Sequence, residues 1–112
     1  MPDAADRAAF GVVQKIFLAP ALKVQLDAKG IDTLVILGLT TDHCVSTTAR
    51  MAGNYGYNTF VVHDATATFA KKGIHGEAYD SETIHLVALA HLKDEFATIV
   101  TTDEVIDSIN SI

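Results

Sequence analysis

At 112 residues the chain has the length of a single domain, 1–112, and with 49% hydrophobic residues it can pack a core rather than stay disordered. Its formal net charge of −6 argues against nucleic acid and anionic membrane surfaces as partners, since both are recognised through basic patches. Its one cysteine, Cys44, cannot close an internal disulfide, which fits a reducing compartment, expected to be the cytoplasm.

No apolar run approaches the roughly 18 to 20 residues a membrane span needs. The opening, MPDAADRAAFG, has neither the basic start nor the apolar stretch of a secretory signal, and its Asp3 and Asp6 read as solvated. Residues 10–17 (FGVVQKIF) read as a short strand. Residues 21–28 read as a helix, since Ala, Leu, Lys and Gln favour one, Pro20 suits its start and Gly30 its end. Residues 33–37 (TLVIL) are apolar throughout, as in a strand covered on both faces. Thr41 or Asp42 is expected to cap a helix over 43–55 that ends at Gly56. Residues 58–63 (NTFVVH) form a second strand of the same kind, and 65–79 a loop containing Lys71 and Lys72, read as solvated. Asp80 or Ser81 caps a helix reaching Leu92, with Ile84, Val87, Ala88 and Leu92 on one face. A third apolar strand at 97–100 and a helix at 102–109, capped by Thr102 or Asp103, complete the order.

Strands that alternate with helices, and are apolar runs rather than alternating patterns, indicate α/β with a parallel sheet. Functional groups in such sheets gather at the carboxyl ends of the strands. Cys44 lies there, six residues past Gly38 and at the start of a helix. The thiolate is the nucleophilic form of cysteine, and a helix N-terminus favours it through partial positive charge and unpaired N–H groups. Those N–H groups can also hold the oxyanion formed when sulfur attacks a carbonyl. The position suits nucleophilic acyl transfer. Spacing alone leaves it equally open to a small buried hydrophobe packed under the helix.

The histidines do not point to a metal. His43 adjoins Cys44, but neighbours on a helix point apart. His85 and His91 are six apart and do not share a face, and His63 precedes Asp64 at a strand end. No pair has metal-binding spacing, so neither a metal nor a cofactor is expected. Asp64 is placed to accept hydrogen bonds from a neighbouring loop. Arg50 either pairs with an acid at an interface or faces solvent.

The segment IDTLVILGLTTDHCVSTTARMAGNYGYNTFVVHDATATF closely resembles the isochorismatase-like cysteine hydrolases, which include nicotinamidases, N-carbamoylsarcosine amidases and ureidoacrylate amidases. Gly38, Thr41, Cys44, Val45, Gly56, Tyr57, Asp64 and Ala65 carry the match, and the tail YDSETIHLVALAHLKDEFATIVTTDEVI is similar to the family's C-terminal part. The resemblance implies a three-layer, Rossmann-like parallel sheet flanked by helices. It implies hydrolysis of a C–N bond in a small amide through a thioester on Cys44. It also implies a cis peptide at Leu39–Thr40, with the Thr40 and Cys44 amides as oxyanion hole, and it gives Lys15 the place of the family's lysine. The other reading of Lys15 is an edge-strand lysine in solvent.

The family's third catalytic residue is an Asp that ends an apolar strand far upstream, and nothing before Cys44 offers such a strand. The resemblance therefore implies that the family's N-terminal portion is lacking. That leaves the TLVIL strand with an open edge, so a homo-oligomer is expected, and amide turnover by the chain alone is expected to be slow. The alternative is a truncated, non-catalytic homologue with a self-association or binding role.

Overall fold

The computed structural model describes residues 20–110. The strand expected at 10–17, Lys15 within it, and Asp3 and Asp6 lie outside the described residues. The described elements are α1 (Pro20–Ala28), β1 (Thr33–Leu39), a π-helical turn (Thr41–Val45), α2 (Ser46–Asn54), β2 (Asn58–Ala67), the short strands β3 (Lys71–Lys72) and β4 (Ala78–Tyr79), α3 (Ser81–Leu92), β5 (Thr98–Val100) and α4 (Thr102–Asn110). β1, β2 and β5 form a parallel sheet in that order, and β3 and β4 a separate antiparallel hairpin. This is the expected α/β architecture. No helix among the described residues is long and apolar enough to cross a membrane.

Two helices stop by the same local chemistry. After α1 the Gly30 amide bonds to the Asp27 carbonyl and the Ile31 amide to that of Leu26, with Gly30 at φ +70°. After α2 the Gly56 amide bonds to Gly53 and the Tyr57 amide to Ala52, with Gly56 at φ +88°. Both are the paired 5→2 and 6→1 closure of a Schellman motif, which needs a left-handed residue that glycine supplies without strain. Leu26 and Ile31, the two apolar ends of the first motif, are buried together against Leu34, Met51 and Tyr57. Each turn thereby aims the chain directly into the next strand.

The main core joins Ile36 of β1 and Val61 of β2 to Val45, Ala49, Leu89 and Leu92 of the helices above them. Strand alternation sends Val62 and Val100 to the opposite face, where α4 packs against β2. The inward stripe of α3 is His85, Leu89 and Leu92, at i, i+4 and i+7. Of the expected stripe, Leu92 is buried and Ile84 and Ala88 are half-buried, while Val87 is exposed. β1 departs from expectation as well. It runs on to Leu39, and Leu37 and Leu39 are 54% and 64% exposed, because α4 covers β2 and leaves that side of β1 bare.

The expected loop at 65–79 instead contains the end of β2 and the β3–β4 hairpin. Asp80 caps α3 as expected, accepting from the Thr83 amide at 2.7 Å. The cap of α4 lies one residue earlier than expected. The Thr101 hydroxyl accepts from the Glu104 amide, while the Glu104 carboxylate accepts from the Thr101 amide, each at 3.1 Å. That reciprocal pair is a capping box. Asp64 reinforces it, accepting the Thr102 amide and hydroxyl at 2.8 Å. The Thr102 hydroxyl and amide together hold the Asp64 carboxyl below its ordinary value.

Arg50 lies over the Phe96 ring, 4.9 Å from its centre, so it is engaged within the chain. At Gly53 of α2 a Cβ would stand 2.7 Å from the Phe96 carbonyl oxygen and 3.0 Å from its Cα. Backbone cannot yield as a side-chain tip can. Gly53→Ala is expected to lose about 2 kcal/mol to this overlap and regain up to about 1 kcal/mol of helix propensity, for a net destabilisation of about 1 kcal/mol. Urea unfolding measures it as a lower midpoint with an unchanged slope. An unchanged midpoint would show that α2 and the Phe96 segment separate freely.

Candidate functional site

β1 delivers the chain to the site at Leu39, and the Leu39–Thr40 peptide bond is cis, as the family resemblance implies. Thr40 is extended, at φ −102° and ψ 152°, and the chain then coils. The Thr40 carbonyl accepts from the amides of His43 at 3.1 Å and Val45 at 3.2 Å. The second of these spans five residues and gives the turn its π form. Cys44 lies between these donors and is half-buried. Cys44 is the fourth residue of this turn. The π-helical turn runs straight into α2, so the Cys44 thiol sits in the first turn of a longer helical segment. Leu39, Thr40 and Cys44 are thus brought together.

Neither Thr41 nor Asp42 caps this segment through its side chain, because both are turned elsewhere. Thr41 is fully buried, and its hydroxyl lies 2.7 Å from Nδ1 of His85 on α3. Nε2 of the same ring lies 3.1 Å from the His63 carbonyl oxygen on β2.

Asp42 turns toward the hairpin. Its carboxylate accepts from the Thr68 hydroxyl and, at 3.0 Å, from the Lys71 ammonium. The same ammonium donates to Nε2 of His43 at 2.9 Å. An ammonium has no lone pair to offer, so that nitrogen must be the acceptor. Lys71, expected in a solvated loop, is therefore bound to both residues that precede Cys44. The Asp42 side chain is only 16% exposed. Burial pushes its carboxyl up, but the bonds from Thr68 and Lys71 outweigh this and hold it at about 2. An open groove of about 280 Å³ begins at Asp42 and runs between Ser46 and Arg50 on one side and Ile84, Ala88 and His91 on the other.

Sequence reasoning missed Thr68, Lys71 and His85. His85 carried a usable signal, its i, i+4, i+7 spacing with Leu89 and Leu92. The Lys71 contact carried none, since two-residue strands leave no periodicity to read.

The Asp42 pairing sets a sign for acid stability. A carboxyl held lower in the folded chain than in the unfolded one contributes fully above about pH 4, and that contribution is lost as the pH falls toward about 2. In Lys71→Met the Asp42 titration, followed by carboxyl carbon NMR, is expected to rise, and the acid-unfolding midpoint to move to higher pH. An unmoved Asp42 titration would show that the Lys71 contact does not hold in solution.

Comparison with known proteins supplies the relationship. A model of the isochorismatase domain matches residues 11–104. The isochorismatase family protein YrdC of Bacillus subtilis (strain 168) is 50% identical over 95 residues, which cover 85% of this chain and 51% of that protein. A solved isochorismatase-family structure from Chromobacterium violaceum aligns with a TM-score of 0.80 at 30% identity, over 82% of this chain and 48% of the other. A cysteine hydrolase from Pseudomonas syringae pv. phaseolicola aligns with a TM-score of 0.76 at 29% identity, over 80% and 42%. The chain spans about half the length of the curated relatives YrdC and YddQ, both of Bacillus subtilis. With a family match over most of its length and a shared fold, this chain belongs to the isochorismatase family.

Proposed function

We propose that this protein is a cysteine hydrolase that cleaves a C–N bond of a small amide through a thioester on Cys44. The observation that carries the proposal is the half-buried Cys44 thiol in the first turn of a helical segment, where backbone amides point out of the helix. A group that attacks a carbonyl and a donor for the resulting oxyanion then share one residue, and the Thr40 amide is the second donor. The Cys44 sulfur bonds to the carbonyl carbon, the amine leaves with a proton, and water cleaves the thioester to release the acid and restore the thiol. Similarity to the Pseudomonas syringae cysteine hydrolase supports the choice of nucleophile. Lys15 takes the charge-balancing part that the family resemblance implies for it.

Asp42 is not the proton carrier. A general base works best with a pKa near the working pH, and a carboxylate held at about 2 by Thr68 and Lys71 accepts protons poorly. Its work is to hold the turn. Proton transfer falls to a carboxylate outside this cluster. An activated ester, whose leaving group departs without a proton, acylates the thiol without that help, so acylation outpaces release.

The expected result with p-nitrophenyl acetate is one equivalent of nitrophenolate released quickly, with the acetyl group on Cys44, and neither in Cys44→Ala. Nicotinamide, a carbamoylated amine and an ureido acid test the amide step. Turnover that survives Cys44→Ala would remove Cys44 from the reaction.

A second reading, self-association, is favoured by the bare side of β1. Leu37 and Leu39 are exposed on a strand whose outer edge is unpaired among the described residues, and such edges pair with other chains. Light scattering is expected to show an oligomer that Leu37→Glu converts to a smaller species. A monodisperse wild-type monomer would count against this reading.

A further inference from the structure

We propose that His85 is a positioning residue for the nucleophile turn, acting on Cys44 through Thr41 as the neutral tautomer that carries its proton on Nε2. The proposal rests on Cys44 being the nucleophile, but not on which amide is cleaved.

The tautomer follows from the partners. A carbonyl oxygen only accepts, so the 3.1 Å contact with the His63 carbonyl requires a proton on Nε2. In the neutral ring Nδ1 then holds a lone pair, and the Thr41 hydroxyl 2.7 Å away donates to it. Thr41 is fully buried, so water cannot take the place of this acceptor, and an unmatched buried hydroxyl is costly. Thr41 opens the π-helical turn three residues before Cys44. Its side chain therefore fixes where the turn starts, and with it the direction of the Cys44 thiol and amide.

The sheet is built to leave the His63 carbonyl available. The β1–β2 pairing jumps from Ile36 with Val61 to Gly38 with Thr66, so the stretch of β2 around His63 is bulged out of the ladder. Its carbonyl accepts from the Thr66 hydroxyl at 3.4 Å and from His85. The ring itself is held by the core, since His85 lies on the same stripe of α3 as the buried Leu89 and Leu92. Both ring nitrogens are used, so His85 has none left for the Cys44 sulfur. It is not the base of the reaction, and its effect passes through Thr41.

Two measurements on the folded chain test this without requiring turnover. Nitrogen NMR of histidine-labelled protein is expected to show His85 with Nε2 protonated and Nδ1 bare. A proton on Nδ1, in the neutral or the charged ring, would overturn the proposal. The second measurement is the rate of Cys44 alkylation by iodoacetamide at fixed pH. Thr41→Val and His85→Leu are each expected to slow it by about three- to tenfold, the usual scale of one lost hydrogen bond. The double variant should be no slower than either single one. His85→Asn, whose Oδ1 can take the place of Nδ1, should stay within about twofold of wild type. Unchanged rates in Thr41→Val, or additive losses in the double variant, would overturn the proposal. If His85→Leu fails to fold, the near-isosteric Thr41→Val and the NMR result still decide. Amide turnover lost in Cys44→Ala but unaffected by Thr41→Val would leave the hydrolase reading standing and remove the positioning role.

Discussion

Because β1 and β2 pair in parallel, both strands release their chains at the same edge of the sheet, and the site depends on that shared edge. β1 ends there in the Cys44 turn. β2 ends there in the segment that provides the His63 carbonyl, then Asp64, Thr68 and the hairpin bearing Lys71. α4 starts there on the Thr101–Glu104 capping box, with Thr102 bonded to Asp64. An antiparallel partner would have carried these groups to the opposite edge, and no side-chain contact could have compensated.

The turn is held from two directions by residues next to each other in sequence. Thr41 is tied to α3 by a neutral contact in the core, and Asp42 is tied to the hairpin by a charged one nearer the surface. These differ in kind. The buried contact has no water to replace it, so its loss leaves a hydroxyl unmatched. The charged contact is partly open to solvent, and salt screens such a pair. The turn is therefore held by one tie that salt can weaken and by another that salt does not reach.

Much of this was legible in the sequence. The apolar runs at 33–37, 58–63 and 97–100 marked the parallel strands, because burial on both faces removes alternation. Gly30 and Gly56 marked the helix ends, because the closing turns need a left-handed residue. Cys44 stood out by its place between strand and helix. What was not legible depends on pairing between distant residues. Lys71 and Asp42 are far apart in the chain, and nothing local says that they meet. The exposure of Leu37 had a similar origin, since a strand's own residues do not say which side lacks a covering helix. Thr41 and Asp42 were misread as helix caps for a related reason. Their local preference is to cap, but the tertiary partners His85 and Lys71 compete for the same oxygens and win.

The same pattern bears on how the chemistry is divided. The side chains described around Cys44 are already committed: Asp42 to Thr68 and Lys71, Nε2 of His43 to Lys71, and both nitrogens of His85 to Thr41 and His63. Asp42, held by Thr68 and Lys71, resists protonation, because taking up a proton weakens the bonds it accepts. These residues therefore set geometry, and geometry is what a thiol beside an oxyanion donor requires. Moving protons requires the opposite character, a group with a free lone pair and a pKa near that of the solution. The two demands conflict within one small cluster of side chains, and in the proposed hydrolase a proton carrier on a separate element would resolve the conflict.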